Sequence, residues 1–359
     1  MISKNELKRL AEAKGAPCVT ISLNTHRSHP ENLKDEITLK NFVKEAKERV
    51  VAEFGKKTTA DLLDKLDQVS GQVHRDYNLD SLHVFVSNDT MEIVQSIWTT
   101  RLEGVQISEH FALRPLIKMY VQEQDYMIMT LTQGGVNLYL AQNDHIESEV
   151  INDDFPLSEN PHYLTNAEQA SDGKRVDNMV KEYFNKVDKA LGKMANDNGL
   201  SCVVICTEDN YSKLMQVADH PARYMGYTQI DYNNLSKHQI ASQAWKFMLD
   251  IRREREQQAV EELHAATGAG LLFTDLQEIF QASMDGRADL LVVESDFSQS
   301  VVMADDRSFS LVEDATAAGA IDDIVSVIAW QVLSQNGRVV FAQENSLGSL
   351  GKIALKTRY

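Results

Sequence analysis

The chain reads as an α/β protein of three successive units. Three observations predict this: apolar residues at helical spacing alternate with short β-branched runs along the whole length; the turn signals between them are sharp; and 359 residues suit two or three domains of roughly 100–150 residues each. The cuts fall at 1–124, 125–235 and 236–359.

The first unit opens with a short helix over residues 2–14, followed by CVTISL (Cys18–Leu23), an alternating strand. The polar loop NTHRSHPEN leads into a helix from about Leu33 to Phe54, with an apolar stripe of Leu39, Phe42, Val43, Ala46, Val50 and Phe54. A second helix over Thr59–Tyr77 should be capped by Thr58 or Thr59. Two strands, SLHVFVS and EIVQSIWT, turn at Asn88–Asp89. The unit ends near FALRPLIKMY.

In the second unit YMIMTLT and VNLYLAQ form a hairpin about Gly134–Gly135. The polar stretch Asp153–Asp177 lacks periodicity and reads as a long loop, a kind of segment that is usually functional or disordered. A helix over Asn178–Asn196, the strand LSCVVIC and a helix near Asn210–Val217 follow.

The third unit begins with a charged helix over Ser236–Ala266, in which RREREQQAVEEL presents a mixed-charge solvent face. Thr274 should cap a helix through Met284, with Gly286 just past its end. ADLLVVES is a buried strand; SVVMAD and SFSLVE form a hairpin. A helix over Ala320–Ser334 and the strands VVFAQ and IALKTRY complete an α/β/α sandwich.

Composition narrows the function. Hydrophobic residues at 43% and charged residues at 25% are ordinary for a globular protein, and no apolar run reaches the length of a membrane span. The start, MISKNELKRLAEAKG, is a charged helical pattern without an apolar signal core, so a cytoplasmic protein is expected. Cys18, Cys202 and Cys206 are too few for a disulfide framework and read as core residues. The net charge of −17 argues against a generic nucleic-acid binder, and DNA is not expected as a partner. The charge is uneven: 17 basic and 18 acidic side chains over 1–124, 8 and 17 over 125–235, 11 and 18 over 236–359. The first unit is therefore the better candidate for contact with RNA, and the acidic third unit suits a protein partner or simple solubility. No zinc pattern, P-loop, dinucleotide fingerprint or Gly-x-Ser-x-Gly elbow is present; no metal or cofactor is expected. Asp144, Asp153 and Asp154 fall in turns outside the strands and read as surface acids.

Several segments carry a family resemblance. VTISLNTHRSHPEN followed by LKNFVKEAKERV, the junction HFALRPLIKM, the stretch GLLFTDLQEIFQASMDGRADLLVVES and the closing GRVVFAQENSLGSLGKIALKTRY together resemble the archaeo-eukaryotic peptide-chain release factors and Pelota. The closer resemblance is to the third family of bacterial archaeo-eukaryotic release factors. It implies an N-terminal α/β domain, a central RNase H-like domain and a C-terminal α/β/α sandwich similar to kink-turn-binding ribosomal proteins. It also implies binding to a ribosome or tRNA, with a role in ribosome rescue or quality control.

The chain departs from the family at the chemistry. Release factors hydrolyse peptidyl-tRNA with a Gly-Gly-Gln tripeptide in a middle-domain loop. Here the equivalent stretch reads PLSENPHYLTNAEQASDGKRVDN, which has Gln169 and Gly173 but no such tripeptide; Gln133–Gly134–Gly135 is the reverse order in a hairpin turn. Without paired glycines the backbone lacks the freedom that approach needs, so peptidyl-tRNA hydrolysis is not expected. Gln169 and His162 are the weak catalytic candidates. RNA or phosphate candidates are His26 and Arg27 in the strand-to-helix loop; Lys40, Lys44 and Lys47 at i, i+4 and i+7 on one helix face; and Lys174 and Arg175 in the long loop. Against these stand a solvated helix face, with Glu45 and Glu48 pairing the lysines, and a solvated loop flanked by Asp172 and Asp177. A hydrolase of an RNA or aminoacyl ester and a non-enzymatic interaction scaffold are the alternative functions.

Overall fold

The protein is described by a computed structural model covering residues 3–13, 17–132, 135–157, 173–229, 236–312, 320–321 and 323–359, with the side chains of Arg75, Thr132 and residues 173–177 left aside. The chain folds into two compact units. One combines residues 1–122 with 256–359; the other is residues 123–255.

In the first unit, helix α1 (Lys4–Ala11) is held by a capping box: the Ser3 hydroxyl accepts from the Glu6 amide while the Glu6 carboxylate takes the Ser3 amide. Strands β1 (Cys18–Asn24), β2 (Ser81–Val86), β3 (Met91–Ser96) and β4 (Gly104–Ser108) form an antiparallel sheet in the order β3-β2-β1-β4. Helices α2 (Asn32–Phe54) and α3 (Ala60–Gln72) cover one face. Period-two alternation puts Val19, Ile21, Leu23, Leu82, Val84 and Val86 against Leu39, Val43, Ala46 and Val50 of the α2 stripe. Thr59 does occupy the N-cap of α3, but its hydroxyl donates to the Gly55 carbonyl and caps no helix amide. The helix ends at Gln72, five residues before the expected Tyr77.

The opposite face of this sheet is unusual in being part polar: Thr20, Ser22, Ser81 and His83 are all buried there, next to Cys18 and Phe85. Phe85 meets Phe111 edge to face at 5.8 Å. Helix α4 (Arg114–Gln122), within the stretch expected only to close the unit, carries Leu116, Ile117 and Met119 into the same core.

That core is shared with the C-terminal segment. Helix α7 (Lys237–Thr267) spans the boundary between the units at residues 255 and 256. After it come β10 (Leu272–Phe273), α8 (Leu276–Met284), β11 (Ala288–Glu294), α9 (Ile324–Ser334), β15 (Arg338–Ala342) and β16 (Ile353–Thr357). The sheet order is β10-β16-β11-β15, with β11 and β15 parallel and β16 antiparallel to its neighbours. Leu291, Val293, Phe341 and Leu355 face α8 and α9; Leu290, Val292, Ala342 and Ala354 face Ala259 and Leu263 of α7. Helices therefore lie on both faces, making three layers. A separate small sheet, β13-β12-β14, is built from β12 (Val301–Asp305), β13 (Ser308–Leu311) and β14 (Ala320–Ile321).

Two expectations need correction here. Asp275, not Thr274, caps α8, because its carboxylate reaches the amides of Gln277 and Glu278 at 3.0 Å. Residues 320–321 pair with β12 as a strand, and α9 begins only at Ile324, capped by Asp323.

The second unit is a five-stranded mixed sheet in the order β7-β6-β5-β8-β9, from β5 (Asp125–Thr132), β6 (Gly135–Gln142), β7 (His145–Glu149), β8 (Cys202–Ile205) and β9 (Tyr224–Thr228). The first three strands run antiparallel; β8 and β9 add in parallel beside β5. Helix α5 (Gly173–Asn198) packs Val180, Phe184, Val187 and Leu191 on one face with Leu214 of α6 (Glu208–Met215), while Ile240, Ala244 and Met248 of α7 cover the other. Helix α5 begins five residues before the expected Asn178, so Lys174 and Arg175 belong to its first turn rather than to a loop. Cys202 and Cys206 are buried free thiols, and burial pushes Cys206 up to about 12.

Candidate functional site

The loop between β1 and α2 is organised by one carboxylate. Asp35, in the first turn of α2, is buried and accepts the His26 amide at 2.7 Å, His26 Nδ1 at 2.8 Å and Asn78 Nδ2 at 3.0 Å. A carboxylate can only accept, so Nδ1 carries the hydrogen of this bond. Arg27 forms a two-point pair with Asp80, Nε to Oδ1 at 3.0 Å and Nη2 to Oδ2 at 2.8 Å. Thr25 is fixed by its hydroxyl donating to the Leu79 carbonyl at 2.8 Å. The loop is thus tied, directly and through Asp35, to Asn78, Leu79 and Asp80, the residues just before β2 and more than 40 positions away in sequence.

The start of α2 is likewise occupied. The amides of Asn32, Leu33 and Lys34 bond to the carbonyls of Ser28, Pro30 and Glu31. Three of the first-turn donors that would otherwise greet an anion are used within the chain.

Beside this corner lies a cavity of about 280 Å³. Its polar lining is acidic: Asp35, Glu36 and Asp76, with His74 and Asn78. Asn78 is buried, and its Oδ1 has no protein partner among the described residues. Such a lining favours a hydrogen-bond donor or a cation over a phosphate.

The lysines of α2 share one exposed face, as their spacing requires, but each sits by an acid. Lys40 pairs with Glu36 at 2.7 Å, Lys44 with Glu48 at 3.9 Å, and Lys47 with Asp67 of α3. Glu45, expected to pair a lysine, instead holds Arg49 at 3.1 Å. His26 and Arg27 are brought to one loop; the lysines run along the helix away from it. Lys174 and Arg175 lie in the other unit, at the start of α5, and their side chains are outside the described residues, as are Gln169 and His162. Gln133 and Gly134 are outside them too. Among the described residues no group of three or more His, Cys, Asp and Glu side chains is placed to hold a metal ion, and no helix is long and apolar enough to cross a membrane.

Sequence reasoning missed a second polar centre in the first unit. Arg114, at the start of α4, is buried and forms a two-point pair with Asp323, the α9 cap, Nε to Oδ2 at 2.7 Å and Nη2 to Oδ1 at 3.1 Å. Its guanidinium also stands 5.9 Å from the Phe341 ring centre. The available signal was an arginine followed by Pro115 at the head of the apolar stretch Leu116–Ile117. In the second unit, buried Asp188 accepts the Tyr224 hydroxyl at 2.7 Å and the Asp219 amide at 2.9 Å, and burial followed by this bond raises the Tyr224 phenol.

Residues 125–287 match the family model of Bacterial archaeo-eukaryotic release factor family 3. No curated protein matches the chain. Among solved structures, a ribosome-bound archaeal Pelota is 14% identical with a TM-score of 0.40, over 75% of this chain and 72% of that one. Pelota of Archaeoglobus fulgidus is 13% identical with a TM-score of 0.36, over 77% and 79%. Dom34 of S. cerevisiae, described as a translation termination-like factor, is 14% identical with a TM-score of 0.33, over 81% and 76%. The chain thus has a multi-domain α/β architecture, and its residues 125–287 are similar to that family model.

Proposed function

We propose that this chain is a release-factor-like, translation-associated protein that binds a ribosome or tRNA in rescue or quality control without hydrolysing peptidyl-tRNA. The observation that carries this is the match of residues 125–287 to a release-factor family model. The sheet of the second unit supports an RNase H-like reading of the middle domain, because three antiparallel strands are extended in parallel from the first of them. The three-layer C-terminal segment is compatible with a sandwich of the kink-turn-binding kind. On this reading the domains are 1–124, 125–235 and 236–359, the site is cytoplasmic, and the acidic third domain is the surface for a protein partner. The absent Gly-Gly-Gln tripeptide argues against ester hydrolysis by that route.

Lys40 and Lys44 are the exposed cations chosen to test contact with RNA, since their carboxylate partners are also exposed and hold them weakly. The purified chain is centrifuged with stalled and empty ribosomes at low salt, before and after nuclease. Co-sedimentation that falls when both lysines are changed to glutamate supports the proposal. A chain that stays in the supernatant with every ribosomal preparation refutes it, and a stable protein partner retained after nuclease would favour a scaffold instead.

A further inference from the structure

The turn from α9 into β15 is built on an asparagine–glycine pair, Asn336–Gly337. Asn336 takes the left-handed conformation, with φ 62°, which asparagine tolerates better than most side chains. Its amide donates to the Leu333 carbonyl at 3.1 Å, and the Gly337 amide donates to the Val332 carbonyl at 2.8 Å. These are the two bonds that close a helix when a left-handed residue stands just past its end. Gly337 is hemmed in. A Cβ there would stand 2.6 Å from Val332 Cγ1, and 3.0 and 3.1 Å from the carbonyl oxygens of Val332 and Ala288. Val332 and Val339, on either side of the turn, are buried.

Asparagine before glycine carries a latent reaction. The glycine nitrogen, once its proton has gone to solvent, attacks Cγ of the asparagine carboxamide. The carboxamide C–N bond breaks, ammonia leaves and a cyclic succinimide closes. Water then opens the ring at either carbonyl. One product is aspartate on the original backbone; the other is isoaspartate, in which the side-chain methylene has entered the main chain. Glycine hinders the attack least, because no side chain stands beside its nitrogen. In the folded chain the nucleophile is withheld, since its hydrogen is held by the Val332 carbonyl. Lys4 Nζ donates to Asn336 Oδ1 at 3.0 Å, a contact that would polarise the carboxamide for attack were the nitrogen released.

We propose that Asn336–Gly337 is a modification site gated by folding. The carboxamide persists in the folded chain and converts when the turn opens. Once isoaspartate has formed, the chain cannot regain the α9–β15 turn. This last step follows from space and register. Isoaspartate lengthens the main chain where even a Cβ is refused, and β15 is held against β11 from Arg338 opposite Leu290 to Ala342 opposite Glu294. Asn198–Gly199, at the end of α5, is the internal comparison. The Gly199 amide is also engaged, by the Ala195 carbonyl at 2.9 Å, but nothing stands within 4 Å of a Cβ there, so its conversion should be tolerated.

The full chain is held at mildly alkaline pH in buffer and in guanidinium chloride until the unfolded sample has converted half of its Asn336. Peptide mapping that separates asparagine, aspartate and isoaspartate reads the conversion. The buffered chain should convert at least about tenfold more slowly at this position, because reaction must wait for the turn to open. On dilution from denaturant, isoaspartate at position 336 should be confined to the fraction that fails to refold, while isoaspartate at position 198 should appear in the refolded fraction. Asn336→Gly keeps a residue suited to the left-handed turn and removes the reactive carboxamide, so the aged variant should refold as fully as a fresh sample of itself. Equal rates in buffer and denaturant overturn the proposal. So does isoaspartate at position 336 in the refolded fraction, or an aged Asn336→Gly variant that loses refolding as the wild type does.

Discussion

Replacing Glu262 by glutamine probes the ion network that joins α7 to three strands. Glu262 accepts from Arg338 Nη1 at 3.0 Å and Nη2 at 2.7 Å, and from Lys356 Nζ at 2.7 Å. Asp289 on β11 also receives both cations, at 3.2 and 2.9 Å. The Arg338 bonds first, and the Lys356 bond second, hold the Glu262 carboxyl at about 2 instead of the usual 4.5. Each pH unit of that depression corresponds to about 1.4 kcal/mol in favour of the charged, folded arrangement, a ceiling of roughly 3 kcal/mol. The Glu262 side chain is 32% exposed, and water and salt screen it; roughly 1–2 kcal/mol should survive. The glutamine variant also leaves two cations facing one carboxylate. Because the folded value lies below the unfolded one, this stabilisation is complete above pH 4.5 and is lost as pH falls towards 2. Urea titrations of the wild type and the variant at pH 7 and pH 3, read by circular dichroism, should show a gap of about 1–2 kcal/mol that narrows in acid. A variant within about 0.5 kcal/mol of wild type at pH 7 would refute the view that this network contributes to stability.

Three further outcomes follow from the packing. Exchanging Arg114 for methionine strands the buried Asp323 carboxylate and should cost about 3–5 kcal/mol in the same urea assay. His83, held at about 3, stays neutral in the folded chain while the unfolded chain binds a proton below about 6.5, so stability should decline progressively as pH drops from 6.5 towards 3; a His83→Gln variant should show a shallower decline in thermal melts taken across that range. Gly226→Ala should lower the midpoint by about 1–3 kcal/mol equivalent, since φ is +142° there and a Cβ would stand 2.5 Å from Phe247 Cζ.

What could be read in advance was what periodicity encodes. The α2 stripe from Leu39 to Val50 and the alternation of β1 and β2 announce both an element and its buried face. The edge strands β4, β7 and β9 were not seen, because five residues of mixed burial, such as GVQIS or HIESE, carry little pattern without a neighbour to pair with. The α8 cap was misplaced by one residue because Thr274 and Asp275 are both good capping residues and only the backbone decides between them. At the candidate site, the residue types of the His26 loop were visible; their partners were not. Asp35 sits nine positions from His26, Asp80 53 from Arg27, and Asp323 209 from Arg114. Separations of that kind are set by topology, and at the His26 loop they pair a histidine and an arginine with carboxylates of the same chain.

The hydrophobic cluster that joins Leu7, Phe85 and Leu116 to Ile279, Ile328 and Phe341 has a consequence for biosynthesis. On a ribosome, the opening third of this polypeptide emerges with a large apolar surface whose complement has not yet been translated. The 123–255 segment can close its own sheet in the interval, since all five strands lie within it. The nascent chain should therefore acquire its second compact body before its first, and a premature stop near residue 255 should release a product whose amino-terminal portion seeks chaperones.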